Sequence, residues 1–274
     1  VGIIDSIKNT AKKYDLPQGS TEAQRLAEIL NGTFYLPKKP EEEAKFIVHV
    51  ATRGLETQKR SGLHASGVIV GSEKYCLRAQ IIASFYEQDN EKTYPANLLR
   101  IFEEGNAVHE KWQRLFIRAG FAHYHELDCT CRDERYNLLY TPDIICRIPE
   151  FSEEPLVGEI KSMNSFAFSA NKRHPTAYLQ LQLYMWLLRL NHGFVLCENK
   201  NTQEFNIEYY KFDENIIAPI IERLEKIRHY RQVFETKKLM VCRPKGIAGP
   251  KDKKCENCCV RSACWKVSER RRLK

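Results

Sequence analysis

The run LVGEIK at positions 156–161 sets a glutamate and a lysine two residues apart at the end of an apolar segment. On a β-strand, residues two apart share a face, so Glu159 and Lys161 project together while Ile160 points the other way into a core. Charged side chains inside a buried strand cost free energy unless something offsets them. Asp143 stands in the preceding strand-like run TPDII, and a hairpin between the two runs would bring it beside Glu159. Two carboxylates at that range repel unless a cation lies between them. Their hard oxygens suit magnesium or manganese. A lysine beside them stabilises negative charge on a phosphate or positions an attacking water. D and E-x-K also recur by chance, so the triplet alone is a weak signature.

The surrounding pattern gives it a setting. Thr21–Leu30 has apolar positions at helical spacing, and Glu41–Val50, after Pro37 and Pro40, reads equally as a restarted helix or a strand. Ser72 is placed to cap a helical run from Tyr75 to Glu87. Leu98–Ala119 predicts a long amphipathic helix with the stripe Val108, Trp112, Leu115 and Phe116, ended by Gly120. Strand-like runs follow at His123–Asp128, Tyr136–Tyr140, Asp143–Ile148 and Leu156–Lys161. Thr176–Leu190 is an apolar helix. Gly193–Glu198 and Glu204–Phe212 are two strands joined by a polar turn, and Glu214–Lys237 is a charged helix. The order predicts a mixed α/β core between helices. The 274 residues, 43% hydrophobic, suffice for one large domain with an appended module. No apolar stretch approaches 18 residues, and the opening VGIIDSIKNTAKKYD lacks the marks of a signal peptide. A cytoplasmic setting without membrane is therefore expected.

Three further motifs bracket the triplet in order. His109 lies four residues after Gly105 on the long helix; a lone helical histidine is ordinarily a surface or capped residue. Gln180 and Tyr184 are four apart, on one face of the apolar helix, where a satisfied polar pair is the plain reading. Near the C-terminus, Cys255, Cys258 and Cys264 form C-x2-C-x5-C. Two thiolates at that spacing chelate one metal or cluster, and a fourth ligand is needed. From spacing alone the near neighbours Cys242 and Cys259 are favoured, with zinc sufficient. Cys129, Cys131, Cys146 and Cys197 fall in strand-like runs and read as buried small apolar residues.

Together these motifs resemble the PD-(D/E)XK nuclease superfamily, through Pro142-Asp143 and Glu159-Ile160-Lys161. Gly105 with His109, and Gln180 with Tyr184, resemble the additional motifs of its RecB-like branch. Within that branch the cysteines resemble those of iron–sulfur nucleases: the CRISPR-associated adaptation exonucleases, the AddB nuclease domain and related phage exonucleases. The resemblance spans Ser72 to Trp265. It implies a restriction-endonuclease-like fold, a mixed central sheet flanked by helices. It implies magnesium or manganese held by His109, Asp143, Glu159 and the Ile160 carbonyl, with Lys161, Gln180 and Tyr184 completing the catalytic set. It assigns Cys76, with Ser72 and Arg78, to the family's opening motif, and so a 4Fe–4S cluster on Cys76, Cys255, Cys258 and Cys264, joining the N- and C-terminal segments as a structural staple. The expected divisions are 1–70, helical and without a matched motif; 71–239, the nuclease core; and 240–274, the Cys-rich basic segment that completes the cluster site.

The net charge of +8 mildly favours a polyanionic partner. Lys237, Lys238, Arg243, Lys245, Lys251, Lys253, Lys254, Arg270, Arg271, Arg272 and Lys274 concentrate charge near the end, as a phosphate-tracking or merely solvated tail. Lys172 and Arg173 are placed to meet a phosphate, and Phe166 and Phe168 to stack on a base or to pack in the core. No Walker motif is present, so no helicase engine is expected. The resulting expectation is a metal-dependent DNA exonuclease of recombination, repair or CRISPR-type processing in a bacterial, archaeal or phage-infected cell. It would act on single-stranded DNA or DNA ends, as a homo-oligomer or within a recombination or adaptation complex. The competing reading is a DNA-end-binding subunit whose cutting depends on that assembly.

Overall fold

The computed structural model describes residues 20–33, 40–53, 62–69, 75–86, 96–170, 174–243, 249, 251–252, 255, 258–267 and 272–273. In chain order these form α1 (Thr21–Thr33), α2 (Pro40–Arg53), β1 (Leu63–His64), α3 (Ala65–Val68), α4 (Leu77–Ala83), α5 (Ala96–Arg118) and a 3-10 turn (Tyr124–Glu126). There follow β2 (Cys131–Asp133), β3 (Leu138–Tyr140), β4 (Ile144–Cys146), β5 (Leu156–Met163), α6 (Ser165–Ser169), α7 (Pro175–Leu188), β6 (His192–Asn199) and β7 (Phe205–Lys211). The chain ends with α8 (Glu214–Lys237), β8 (Met240–Val241), α9 (Arg261–Lys266) and β9 (Arg272–Leu273). The mixed α/β class expected from the sequence is what these elements form. No helix of the described residues is long and apolar enough to cross a membrane. The elements sort into two compact units, each assembled from separated segments of the chain.

The first unit is built on a mixed four-stranded sheet in the order β4-β5-β6-β7. β4 and β5 are antiparallel, with Ile144 opposite Gly158, while β5 and β6 are parallel, with Gly158 opposite Phe194. The parallel step needs a crossover, and α6 and α7 supply it. Helices α5 and α7 both pack on β5, and residues 156–160 are all buried, as a strand covered on both faces requires. Helix α5 faces this sheet with Val108, Trp112, Phe116 and Ile117, which join Ile160, Phe194 and Leu196 in one core. Leu115 of the expected stripe is only partly buried. Gly120 ends α5 with φ 78°; Phe121 N–H donates to the Phe116 carbonyl and Gly120 N–H to that of Ile117, the paired bonds of a left-handed helix stop.

The two N-terminal helices add Leu26, Leu30 and Phe46 to this core. Helix α1 starts at Ser20, whose Oγ accepts from Ala23 N–H at 3.1 Å. The run at 41–50, left open between helix and strand, is helical, with three glutamates in its first turn favouring that end of the dipole. Glu43 fastens α2 to α5, its Oε1 accepting from Arg114 Nη2 at 2.9 Å and Arg118 Nε at 2.8 Å. The buried Glu198 of β6 is held the same way, by Lys111 Nζ at 2.6 Å and Trp112 Nε1 at 2.5 Å.

The second unit carries a small sheet in the order β1-β3-β2 and the parallel pair β8 and β9. Its core gathers Ile81, Ile82 and Ala83 of α4 with Met240, Val260 and Cys264, and Tyr230 and Phe234 of α8 pack against it. Three expectations change. His123–Asp128 contains no extended strand, because His123 and Glu126 form a reciprocal cap that winds Tyr124–Glu126 into a 3-10 turn. The helix expected over Tyr75–Glu87 is confined to Leu77–Ala83. Cys146 and Cys197 are buried strand residues, but Cys129 and Cys131 are only half-buried. Ser72 and residues 1–19 lie outside the described residues.

Two glycines permit the close parallel approach of β5 and β6. A Cβ on Gly158 would stand 2.5 Å from Phe194 Cζ, and one on Gly193 would stand 2.8 Å from the Val157 carbonyl oxygen. The Phe194 ring has little room to yield, being fully buried and stacked on Phe116 at 5.8 Å. Overpacking of this kind costs about 1–3 kcal/mol. Gly158→Ala should destabilise by about that amount in urea unfolding, and Gly193→Ala by at least as much, since a backbone oxygen cannot rotate away. Unchanged midpoints would show that the strands can separate freely.

Candidate active site

Register decides the centre of the first unit. Ile144 pairs with Gly158, so Asp143 stands one step beyond the ladder, next to Glu159. The Asp143 carboxylate completes what the strand leaves open: its Oδ2 accepts from Ile160 N–H at 2.7 Å. A strand residue turns its N–H and C=O to the same edge, so the Ile160 carbonyl faces the Asp143 side as well. Glu159 is 2% exposed and Asp143 8%. Glu159 Oε1 accepts from Lys161 Nζ, whereas Glu159 Oε2 is buried without a hydrogen-bond partner.

Helix α5 reaches this edge with two residues one turn apart. His109 Nδ1 lies 3.3 Å from Asp143 Oδ1. Gln113, fully buried, donates from Nε2 to the Asp143 main-chain carbonyl at 2.9 Å. One helical face thus holds both the side chain and the backbone of Asp143. A Cβ at Gly105 would meet Ser162 Oγ at 3.8 Å, an ordinary contact, so crowding does not require that glycine. From α7, Gln180 Nε2 donates to Tyr184 Oη at 3.1 Å. Tyr184 is buried, feels the charges of Glu159 and Asp143, and meets the main chain of Thr141.

The electrostatics follow from burial and repulsion. Burial, and then the negative charge of Asp143, push the Glu159 carboxyl up to about 7, against the pull of Lys161. Burial acts on Asp143 in the same sense, but His109, Lys161 and the Ile160 N–H outweigh it and hold Asp143 below the usual carboxylate range. Burial disfavours the charged forms of His109 and Lys161, yet the two carboxylates raise both. Burial and the charge of Glu159 push the Tyr184 phenol up, so it stays protonated. Burial, assisted by Lys161, lowers His174 to about 4, leaving a neutral imidazole at the start of α7.

These features suit a hard divalent cation: two repelling carboxylates, one oxygen without a partner, and a main-chain carbonyl on the same edge. Among the described residues no three His, Cys, Asp or Glu side chains are gathered tightly enough to cage a metal by themselves. Water and substrate oxygens would have to complete such a shell, as magnesium commonly requires.

The sequence-predicted residues His109, Asp143, Glu159, Ile160 and Lys161 therefore meet, with Gln180 and Tyr184 linked beside them. Gln113 and His174 join the site without being among the sequence-predicted residues. Gln113 carries a legible signal, a polar residue four after His109 on the same face. His174 carries none, since its surroundings are tertiary. Lys172 and Arg173 lie outside the described residues, as do Lys245, Lys253, Lys254, Arg270, Arg271 and Lys274. Phe166 is 76% exposed rather than packed in the core, and Phe168 is half-buried.

The four expected cluster cysteines all belong to the second unit. Burial raises the Cys76 thiol, and Cys264 and Cys255 add to the shift. Burial raises Cys258 to about 11, with smaller contributions from Cys259, Cys76 and Cys264. Cys255 is raised by burial and then by Cys264. Each thiol lies within electrostatic reach of others in the set, although the sulfurs do not close into a cage.

No protein-family profile matches the chain, and no curated protein matches it. Among solved structures it is similar to LHK-Exo in complex with dAMP, at 14% identity and a TM-score of 0.47, over 66% of this chain and 94% of that one. An alkaline exonuclease structure, LHK-Exo from Laribacter hongkongensis, gives 13% identity and 0.43 over the same shares. The protein SSO0001 gives 14% identity and 0.40, over 74% of this chain and 85% of that one. Likeness at this level assigns neither activity nor substrate to the chain.

Proposed function

We propose that this chain is a metal-dependent deoxyribonuclease, an exonuclease that hydrolyses phosphodiester bonds in DNA. One observation carries the reading: Asp143 and Glu159 are buried side by side next to Lys161, with Glu159 Oε2 left without a partner. A purely structural cluster would gain by satisfying that oxygen. His109, Asp143, Glu159 and the Ile160 carbonyl would hold Mg2+ or Mn2+. When bound, such an ion polarises a phosphoryl oxygen and lowers the pKa of a bound water.

The protein's own groups do the rest. Lys161 keeps its ammonium charged, because Glu159 and Asp143 outweigh its burial; it would stabilise charge developing on the phosphate or orient the attacking water. Asp143 is fixed at both oxygens, so its geometry is set before substrate arrives. Tyr184, protonated and tied to Gln180, presents a neutral hydroxyl beside the carboxylates. The net positive charge suits a DNA partner. Phe166 stands on a short helix just past the strand that bears Lys161, and its exposed ring would stack on a base. Single-stranded DNA or DNA ends, processed by a homo-oligomer or within a recombination or adaptation complex, are the partners this reading implies.

The proposal includes a second, structural centre, a 4Fe–4S cluster on Cys76, Cys255, Cys258 and Cys264. What supports it is the C-x2-C-x5-C spacing and the placement of all four thiols in one unit within electrostatic reach. The sulfurs would draw together around the metal, as metal binding and local folding commonly couple.

Digestion of end-labelled single- and double-stranded DNA, linear and circular, with Mg2+ and with Mn2+, tests the activity. Asp143→Ala and Lys161→Ala should each lower the cleavage rate by at least about a hundredfold, with circular dichroism unchanged. Wild-type rates in both variants would remove this mechanism. Metal affinity adds a separate check. Glu159 titrates near 7, raised by burial and by Asp143, and only its carboxylate binds a cation. Binding is therefore strongest above pH 7 and weakens as pH falls through that value, because both Glu159 and His109, itself raised by Asp143, take up protons that a cation must displace. Calorimetric titration of Mn2+ at pH 6 and pH 8 should show the difference, and equal affinities would overturn proton-linked cation binding at this site.

A further inference from the structure

Arg78 is a buried cation that meets no carboxylate among the described residues. It lies in the second unit, two residues after Cys76 and within the first turn of α4, and is 3% exposed. Its Nη1 donates to the Val241 carbonyl at 2.6 Å, and its Nη2 to the carbonyls of Cys264 at 3.2 Å and Val267 at 3.4 Å. Its Nε donates to the Cys264 sulfur at 3.3 Å. Among the described residues no carboxylate stands within ion-pair distance of it. Arg243 brings a second guanidinium to the same place, donating from Nη2 to the Cys264 carbonyl at 3.1 Å while stacked 3.9 Å over the Trp265 ring.

A buried charge is costly unless it is paired. Lysine or histidine could escape that cost by losing a proton, but a guanidinium in a protein does not deprotonate. Among the described residues, the compensating negative charge falls to a group Arg78 touches. Three of its four acceptors are neutral carbonyls, which leaves the sulfur of Cys264. A lone thiol is neutral too, but a thiolate bound to metal is not. A divalent metal core carried by four thiolates is net doubly negative, which would balance two convergent guanidiniums. We infer that Arg78 is the internal counter-cation of an anionic metal–thiolate centre, giving an N–H···S hydrogen bond to the ligand sulfur of Cys264. The inference rests on the proposed centre at Cys76, Cys255, Cys258 and Cys264, and it holds for an iron–sulfur cluster or for zinc.

Such a bond has consequences that packing alone does not. It withdraws charge from the sulfur and favours the more negative, reduced state of a cluster, so it raises the reduction potential. It also slows loss of the thiolate to protonation or to a chelator.

The test uses the full chain purified without oxygen, assayed for iron, zinc and acid-labile sulfide, with Arg78→Lys and Arg78→Gln alongside. Wild-type protein should hold metal. The Gln variant should release it to a chelator roughly ten times faster and, where the metal is an iron–sulfur cluster, show a lower midpoint potential in its loaded fraction. The Lys variant keeps the charge without the fork geometry and should fall between. A merely structural role would reduce loading but leave the potential of the loaded fraction unmoved. If circular dichroism shows the Gln variant unfolded, the Lys variant decides, through release faster than wild type. Wild-type release and potential in the folded variants would overturn the role of Arg78 while leaving the centre standing. Wild-type protein free of iron, sulfide and zinc would overturn both.

Discussion

The bond from Ile160 N–H to Asp143 Oδ2 is the constraint on which the first unit's chemistry depends. The β4–β5 ladder stops at Ile144 and Gly158, so the next inward-facing donor of β5 would be stranded. Asp143 satisfies it with a side chain instead of a backbone. That substitution fixes the carboxylate beside Glu159, turns the Ile160 carbonyl to the same edge and holds the strand open there. Gln113 secures the arrangement by holding the Asp143 carbonyl from α5, and His109 borders the remaining carboxylate oxygen.

The cluster is tolerable in a buried site because its charges answer one another. Removing one member of such a set leaves an uncompensated charge, which is far costlier than removing the whole set. Asp143 stays ionised against His109 and Lys161. Glu159 then bears the excess, and its carboxyl is pushed up. Two acids share the same pocket with opposite shifts because only one has enough positive neighbours. The one that lacks them is also the one with an unpartnered oxygen, so the electrostatic and the geometric deficits fall on the same residue.

Much of this was legible in the sequence because it rests on periodicity. The two-residue repeat of Glu159 and Lys161, the placement of Asp143 in the preceding strand-like run, and the four-residue spacing of Gln180 and Tyr184 each map directly onto strand or helix geometry. Gly120 announced the end of α5 for an equally local reason. What periodicity missed was set by side chains acting on the backbone or by distant packing. The His123–Glu126 cap converts an apolar strand-like run into a 3-10 turn. Gln113 shares a helical face with His109, a legible spacing, but its partner, the Asp143 carbonyl, is brought to it from another element. The half-buried Cys129 and Cys131 resemble Cys146 and Cys197 in sequence but not in environment. Nor does periodicity reveal which separated segments assemble into one unit.

The two candidate centres obey one rule with opposite signs. In the first unit, two carboxylates are buried side by side, and Glu159 keeps one oxygen without a hydrogen-bond partner. In the second, a guanidinium that cannot shed its proton is buried against sulfur and carbonyls. Hard oxygen donors suit magnesium or manganese, and soft thiolates suit zinc or iron–sulfur. The unsatisfied group in each unit is of the kind that the proposed centre would answer: a cation for the Glu159 oxygen, an anionic metal–thiolate centre for Arg78. A surface salt bridge left unmade would say little, since water screens it. The unpartnered oxygen of Glu159 and the guanidinium of Arg78, on residues almost wholly buried, are groups that water cannot relieve. Each is thus an argument for a bound group drawn from the chain's own residues.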